Sequence, residues 1–131
     1  MWLAHISFRK RGGPRVGRYG VDLRALDTLA VRAVHQAVDA RTLVVIDEIG
    51  PMELLSPAFR RAVIRAVEEG EGMVATVAQR PHPFVQTLQA RPGVELVVLS
   101  PENREGLVEA LVTRLRRWPC CRPEVGRGEP W

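Results

Sequence analysis

Cysteine is scarce in this 131-residue chain: there are two, adjacent at Cys120-Cys121. No disulfide framework can hold the fold, and two thiolates alone make half a zinc site. The three histidines, His5, His35 and His82, lie too far apart for the H-E-x-x-H spacing of a helical metal site. Aromatic residues make up 5% of the chain, and no aromatic platform is interleaved with the positive charge, as single-stranded nucleic-acid binding requires. No apolar run approaches the ~20 residues of a membrane-spanning helix. The opening residues, Met1-Trp2-Leu3-Ala4-His5-Ile6, lack the basic, apolar and small-residue order of a secretory leader, so the cytoplasm is the expected compartment. Lysine occurs once, at Lys10, among nineteen basic residues.

What is present suits one folded domain. Apolar residues make up 46% and charged residues 26%. A chain of this length buries roughly two-thirds of its unfolded surface. Residues 1–20 carry five Lys/Arg and no acid, residues 21–110 nine against thirteen, and residues 111–131 five against two. The body is therefore mildly acidic between basic ends. The simplest role of those arginines is solvation of the ends, with Arg114, Arg116 and Arg117 complementing a helix C-terminus.

Residues 1–20 predict an irregular or hairpin-like opening, with a strand within Met1 to Phe8. Asp22 suits a helix cap, and Leu26, Leu29, Ala30, Ala33, Val34 and Ala37 share one face of a helix over 23–38. Leu43-Val44-Val45-Ile46 predicts a strand buried on both faces. Ser56-Pro57 opens a helix with a Phe59, Val63 and Val67 stripe that Gly70 closes. Residues 73–78 predict a second strand, 83–90 a short helix or loop, and 94–99 a third strand. Ser100-Pro101 repeats the cap-and-proline opening before a helix over 101–117, striped by Leu107, Val108, Leu111, Val112 and Leu115. From Trp118 the composition turns to Pro, Gly and Arg, so the domain is expected over 1–117 and a disordered tail over 118–131. Alternating helices and apolar strands define an α/β fold with a parallel sheet, in which ligands bind beyond the carboxyl ends of the strands.

One strand ends in chemistry. In Leu43-Val44-Val45-Ile46-Asp47-Glu48-Ile49-Gly50, four apolar residues run into two adjacent acids, the form of a Walker B strand. Asp47 would hold Mg2+, commonly through water, and Glu48 would orient the water that attacks a terminal phosphate. Gly50-Pro51 then turns the chain. Read as a pattern alone, the same residues also describe a strand ending in a solvated acidic turn.

Three blocks sharpen this reading: Val16-Gly17-Arg18-Tyr19-Gly20-Val21-Asp22-Leu23, then Val45 to Leu54 with Ser56 and Phe59, then Asn103-Arg104-Glu105. In order and spacing they resemble the thermophile-type nucleoside-triphosphatases, whose human relative is called cancer-related nucleoside-triphosphatase. The resemblance covers roughly residues 3–117. It implies a three-layer P-loop α/β fold with a mostly parallel sheet, and Mg2+-dependent hydrolysis of ATP, GTP and other nucleoside triphosphates to diphosphate and phosphate. It assigns nucleotide binding to Leu43, Val44, Val45, Ile46, Asp47, Glu48, Ile49 and Gly50, with Asp47 on the metal and Glu48 on the water. Asn103 and Arg104 follow the last strand, where the nucleotide's base or phosphates would lie. Arg104 suits phosphate through its planar guanidinium, whereas Asn103 and Glu105 equally suit capping of a helix.

The departure lies at the start. No G-x-x-G-x-G-K-T loop occurs in the sequence, and Lys10, between Arg9 and Arg11, cannot serve as its lysine. The family's first strand, loop and helix are thus expected to be missing, with phosphate binding weakened and turnover by this chain low or nil. Three explanations are a longer true gene, a degraded remnant, or a nucleotide-free module that completes itself by forming homo-oligomers. The alternative function is that last one, a non-catalytic self-associating α/β module; a basic nucleic-acid binder ranks third.

Overall fold

The computed structural model describes residues 4–5, 14–16 and 19–119. The tail from Cys120 onward, Lys10, Gly12-Gly13 and Arg18 lie outside the described residues. Near the start, β1 (Ala4–His5), β2 (Arg15–Val16) and β3 (Tyr19–Val21) form a small antiparallel sheet in the order β1-β3-β2. Ala4 pairs with Val21, and Val16 with Tyr19.

Asp22 caps the following helix as its position predicts: the Ala25 N–H donates to Asp22 Oδ1 at 3.1 Å. The helical run comprises α1 (Leu23–Ala25), a π-helical turn (Leu26–Ala30) and α2 (Val31–Asp39). That turn changes which side chains are buried. The Val31 N–H donates to Leu26 O, five residues back, so one extra residue enters the turn. The buried face becomes Leu26, Val31, Val34 and Val38, and Leu29 is left 54% exposed. Of the face expected from regular 3.6-residue spacing, Leu26 and Val34 are buried, Ala30 and Ala37 pack half-buried against the core, and Leu29 and Ala33 are exposed.

The core forms where these helices meet β4 (Val44–Ile49) and α3 (Pro57–Glu69). Ser56 caps α3, accepting from the Phe59 N–H at 3.0 Å, with Pro57 at the first helical position. Phe59, Ala62, Val63 and Ala66 are almost wholly buried. Gly70 ends α3 in extended backbone rather than in the left-handed conformation common at helix ends. Glycine is needed there for close approach, since a Cβ would lie 2.4 Å from Ala66 O. Arg65 ties α3 to the end of α2, bonding Asp39, Glu69 and His35 Nδ1. The hydrogen bond it donates to Asp39, then that to Glu69, raises the guanidinium pKa above its ordinary value.

The parallel sheet pairs β4 with β5 (Met73–Val77). β4 buries one face, not the two expected: Val44 and Ile46 point into the core while Val45 is 67% exposed. After β5, Pro83 opens α4 (Pro83–Gln89), which His82 caps by accepting from the Phe84 N–H at 3.1 Å. Val85 and Leu88 join the core.

The expected third strand is absent. Residues 94–100 adopt no regular structure, and Leu96, Val97, Val98 and Leu99 are exposed. A strand needs a neighbour for its N–H and C=O groups, and no other described strand pairs with this segment. Its carbonyls and amides turn to Asn103 instead: Asn103 Nδ2 donates to Val98 O at 2.7 Å, and the Ser100 N–H donates to Asn103 Oδ1 at 2.8 Å. Asn103, not the Ser100 hydroxyl, therefore organises the entry to α5 (Arg104–Leu115), which starts three residues later than expected. α5 buries none of its residues, and Arg114 pairs with Glu95 at 2.7 Å. Trp118 then closes against Gly72, where a Cβ would sit 2.3 Å from the indole. No helix among the described residues is long and apolar enough to cross a membrane.

Candidate functional site

The site grows from an irregularity in the parallel ladder. Ile46 pairs with Ala75 and Ile49 with Val77, so Asp47 and Glu48 together stand opposite Thr76 alone. This is a β-bulge, a device that re-aims side chains at the end of a strand. The Asp47-Glu48 peptide is cis. Buried Ile46 and Ile49 pin the strand on either side, and the two acids between them are exposed.

Each acid has a different neighbour. Thr76 Oγ1 donates to Asp47 Oδ1 at 2.6 Å. Glu48 folds over Gly50, where it meets Glu53: a Cβ on Gly50 would lie 2.6 Å from Glu48 Oε1 and 2.9 Å from Glu53 Oε2. Glycine leaves the space that both carboxylates use. Glu53 Oε2 accepts from the Gly50 N–H at 3.1 Å, and the Leu54 N–H donates to Gly50 O at 3.0 Å. Gly50-Pro51-Met52-Glu53 thus carries half of a capping box, with proline at the first position and glutamate reaching back to the capping residue. The turn is anchored at both ends by core residues, Ile49 and Leu54.

A groove of about 410 Å³ runs beside β4, bordered by Ala30, Val34, Val45 and Phe59, with Asp47, Glu48 and Glu53 toward the strand's carboxyl end. Among the described residues its lining includes no Lys or Arg. Across the Gly50-Pro51 turn lies a second cavity of about 210 Å³, lined by Ile49, Leu54, Arg80 and His82 among others.

Of the residues expected to bind nucleotide, Leu43, Val44, Val45, Ile46, Asp47 and Glu48 all border the groove, with Val44 and Ile46 largely buried in the core. Ile49 and Gly50 border the second cavity. Asn103 and Arg104 sit exposed at the start of α5 and border neither cavity. Asn103 is occupied with Val98 and Ser100. Sequence reasoning passed over Thr76 and left Glu53 without a role. Thr76 carries no local signal, because only strand register sets it beside Asp47. Glu53 had one, the Gly-Pro-x-Glu spacing of a capping box.

A small parallel sheet under helices, with an acidic pair closing a buried strand, has the fold of P-loop nucleotide hydrolases. The crystal structure of THEP1 from the hyperthermophile Aquifex aeolicus matches it with a TM-score of 0.70 at 36% identity, covering 79% of this chain and 64% of that one. The family described as NTPase matches residues 1–112. The chain belongs to this nucleoside-triphosphatase family. Similar relatives include the nucleoside-triphosphatase THEP1 of Thermotoga petrophila, 35% identical over 102 residues, or 78% of this chain and 57% of the relative. That of Methanosarcina acetivorans is 39% identical over 113 residues, 86% of this chain and 63% of the relative. The chain therefore spans less than two thirds of the length of these relatives.

Proposed function

We propose that this chain carries the metal- and water-handling residues of an enzyme that hydrolyses nucleoside triphosphates to diphosphate and phosphate. The observation that supports this most is the bulge, which delivers Asp47 and Glu48 side by side at the mouth of a groove. Asp47 holds Mg2+, and Glu48 accepts a hydrogen bond from the attacking water and polarises it. Glu53 keeps the Gly50 turn closed beneath Glu48.

The donor set fits this metal. Mg2+ prefers hard oxygen ligands, and takes one or two carboxylates with waters and substrate phosphates rather than a full protein cage. No group of three or more His, Cys, Asp or Glu among the described residues is placed to hold a metal by itself. Bound there, Mg2+ would supply a positive charge that the described lining does not. Free nucleotide should be repelled by Asp47, Glu48 and Glu53, so binding should require the metal. Turnover by the 131 residues is expected to be low, since no Gly-Lys-Ser/Thr loop is present to cradle phosphates.

Calorimetry with ATP and GTP tests the reading, with circular dichroism confirming the fold. Heat of binding with Mg2+, none without it, and loss of binding in Asp47→Asn are expected. Equal binding with and without Mg2+, or an unaffected Asp47→Asn, would overturn it. The exposed apolar run from Leu96 to Leu99 favours a second reading, self-association without catalysis. Sedimentation of the same sample distinguishes the two: a defined oligomer indifferent to nucleotide supports the second.

A further inference from the structure

We infer that Thr76 is a positioning residue for Asp47: its hydroxyl holds one carboxylate oxygen so that the other is presented to the divalent cation. This rests on the proposed metal role of Asp47.

Three observations carry it. First, the bulge leaves Thr76 as the residue on β5 that faces both acids. Second, the Thr76 hydroxyl donates to Asp47 Oδ1 at 2.6 Å, a distance typical of a hydroxyl bonded to an ionised carboxylate. No other described group hydrogen-bonds or ion-pairs with Asp47, so Oδ2 is left for a ligand. Third, both residues are exposed. A lone hydrogen bond in water contributes little to folding. What this one supplies is direction. Threonine is β-branched and stiff at its first side-chain torsion, so on a strand its hydroxyl is aimed by the backbone. Asp47, on a bulge and free of other partners, would otherwise sample several rotamers. A carboxylate oriented by a neighbouring hydroxyl belongs to the outer shell that tunes metal affinity.

The test is Mn2+ titrated into the full chain, alone and with ATP, followed by water-proton relaxation. Thr76→Val should weaken Mn2+ binding about 10- to 100-fold, the usual cost of losing an outer-shell partner. Thr76→Ser keeps the hydroxyl and should restore most of the affinity. Melting temperature should barely move in either variant, which separates positioning from a structural role. Should valine disturb the strand by dichroism, Thr76→Ala gives the same reading with less bulk. Wild-type affinity in the folded valine or alanine variant, alongside lost affinity in Asp47→Asn, would overturn the role of Thr76 alone. Mn2+ uptake unchanged in Asp47→Asn, or none by the wild-type chain, would overturn the metal role of Asp47 and this inference with it.

Discussion

Replacing Ser56 with alanine should destabilise the fold without touching the acidic pair. Ser56 is fully buried, yet its hydroxyl makes two bonds. It accepts from the Phe59 N–H at 3.0 Å, capping α3, and donates to Asp27 in the π-helical turn. Loss of a serine cap costs about 1 kcal/mol. A hydrogen bond to a charged partner contributes about 1.5–3 kcal/mol. Asp27 is exposed and regains water when the serine is gone, so the second loss falls toward its lower end. Alanine leaves only a hydroxyl-sized gap. Together the cost is about 2–3 kcal/mol, or a fall in melting temperature of roughly 10 °C for a domain of this size. Urea and thermal unfolding followed by circular dichroism would measure it. A double-mutant cycle with Asp27→Ala should show a coupling of about 1 kcal/mol between the two side chains. A loss under about 0.5 kcal/mol, smaller than a serine cap usually contributes, would refute the reasoning. Additive single losses would show that the contact across to the π-helical turn contributes nothing.

Two glycines make complementary predictions. Gly50→Ala places a methyl among the Glu48 and Glu53 carboxylates, so Mg2+-dependent nucleotide binding should fall while the dichroism spectrum stays intact; calorimetry indistinguishable from wild type would show that the carboxylates' placement over Gly50 is immaterial. Gly72→Ala drives a methyl into the Trp118 ring, and should cost about 1–3 kcal/mol with a red shift of tryptophan emission; no change in either would mean Trp118 does not seat there in solution.

Much of this molecule is governed by neighbours a few residues apart along the chain. Asp22 and Ser56 start helices through bonds spanning three residues, Pro57 through its fixed backbone torsion, and all three sit where the sequence predicts. The apolar run ending in Asp47-Glu48 marks its own strand. The turn at Gly50-Pro51 is likewise marked by its own two residues. These features were legible because the interactions that make them are local.

Other features depend on residues distant in sequence, and there the pattern misled. Val94 to Leu99 has strand composition but takes no strand form among the described residues, because a strand exists only with a partner and composition does not supply one. The π-helical turn leaves Leu29 and Ala33 exposed and buries Val31 and Val38, a shift that regular spacing does not foresee. Val45 looked like core and faces outward, since the described helices cover one side of β4. Ser56 announced itself as a helix cap, but its second bond, to Asp27, appears only once α3 packs beside the π-helical turn. The acidic pair was visible from the sequence; its orientation was not. Only the parallel register of β4 and β5 sets two residues against one, bends the strand between two buried isoleucine anchors, and brings the Thr76 hydroxyl to Asp47. Residue type decides which groups can do chemistry, while long-range hydrogen bonding and core packing decide which way they point.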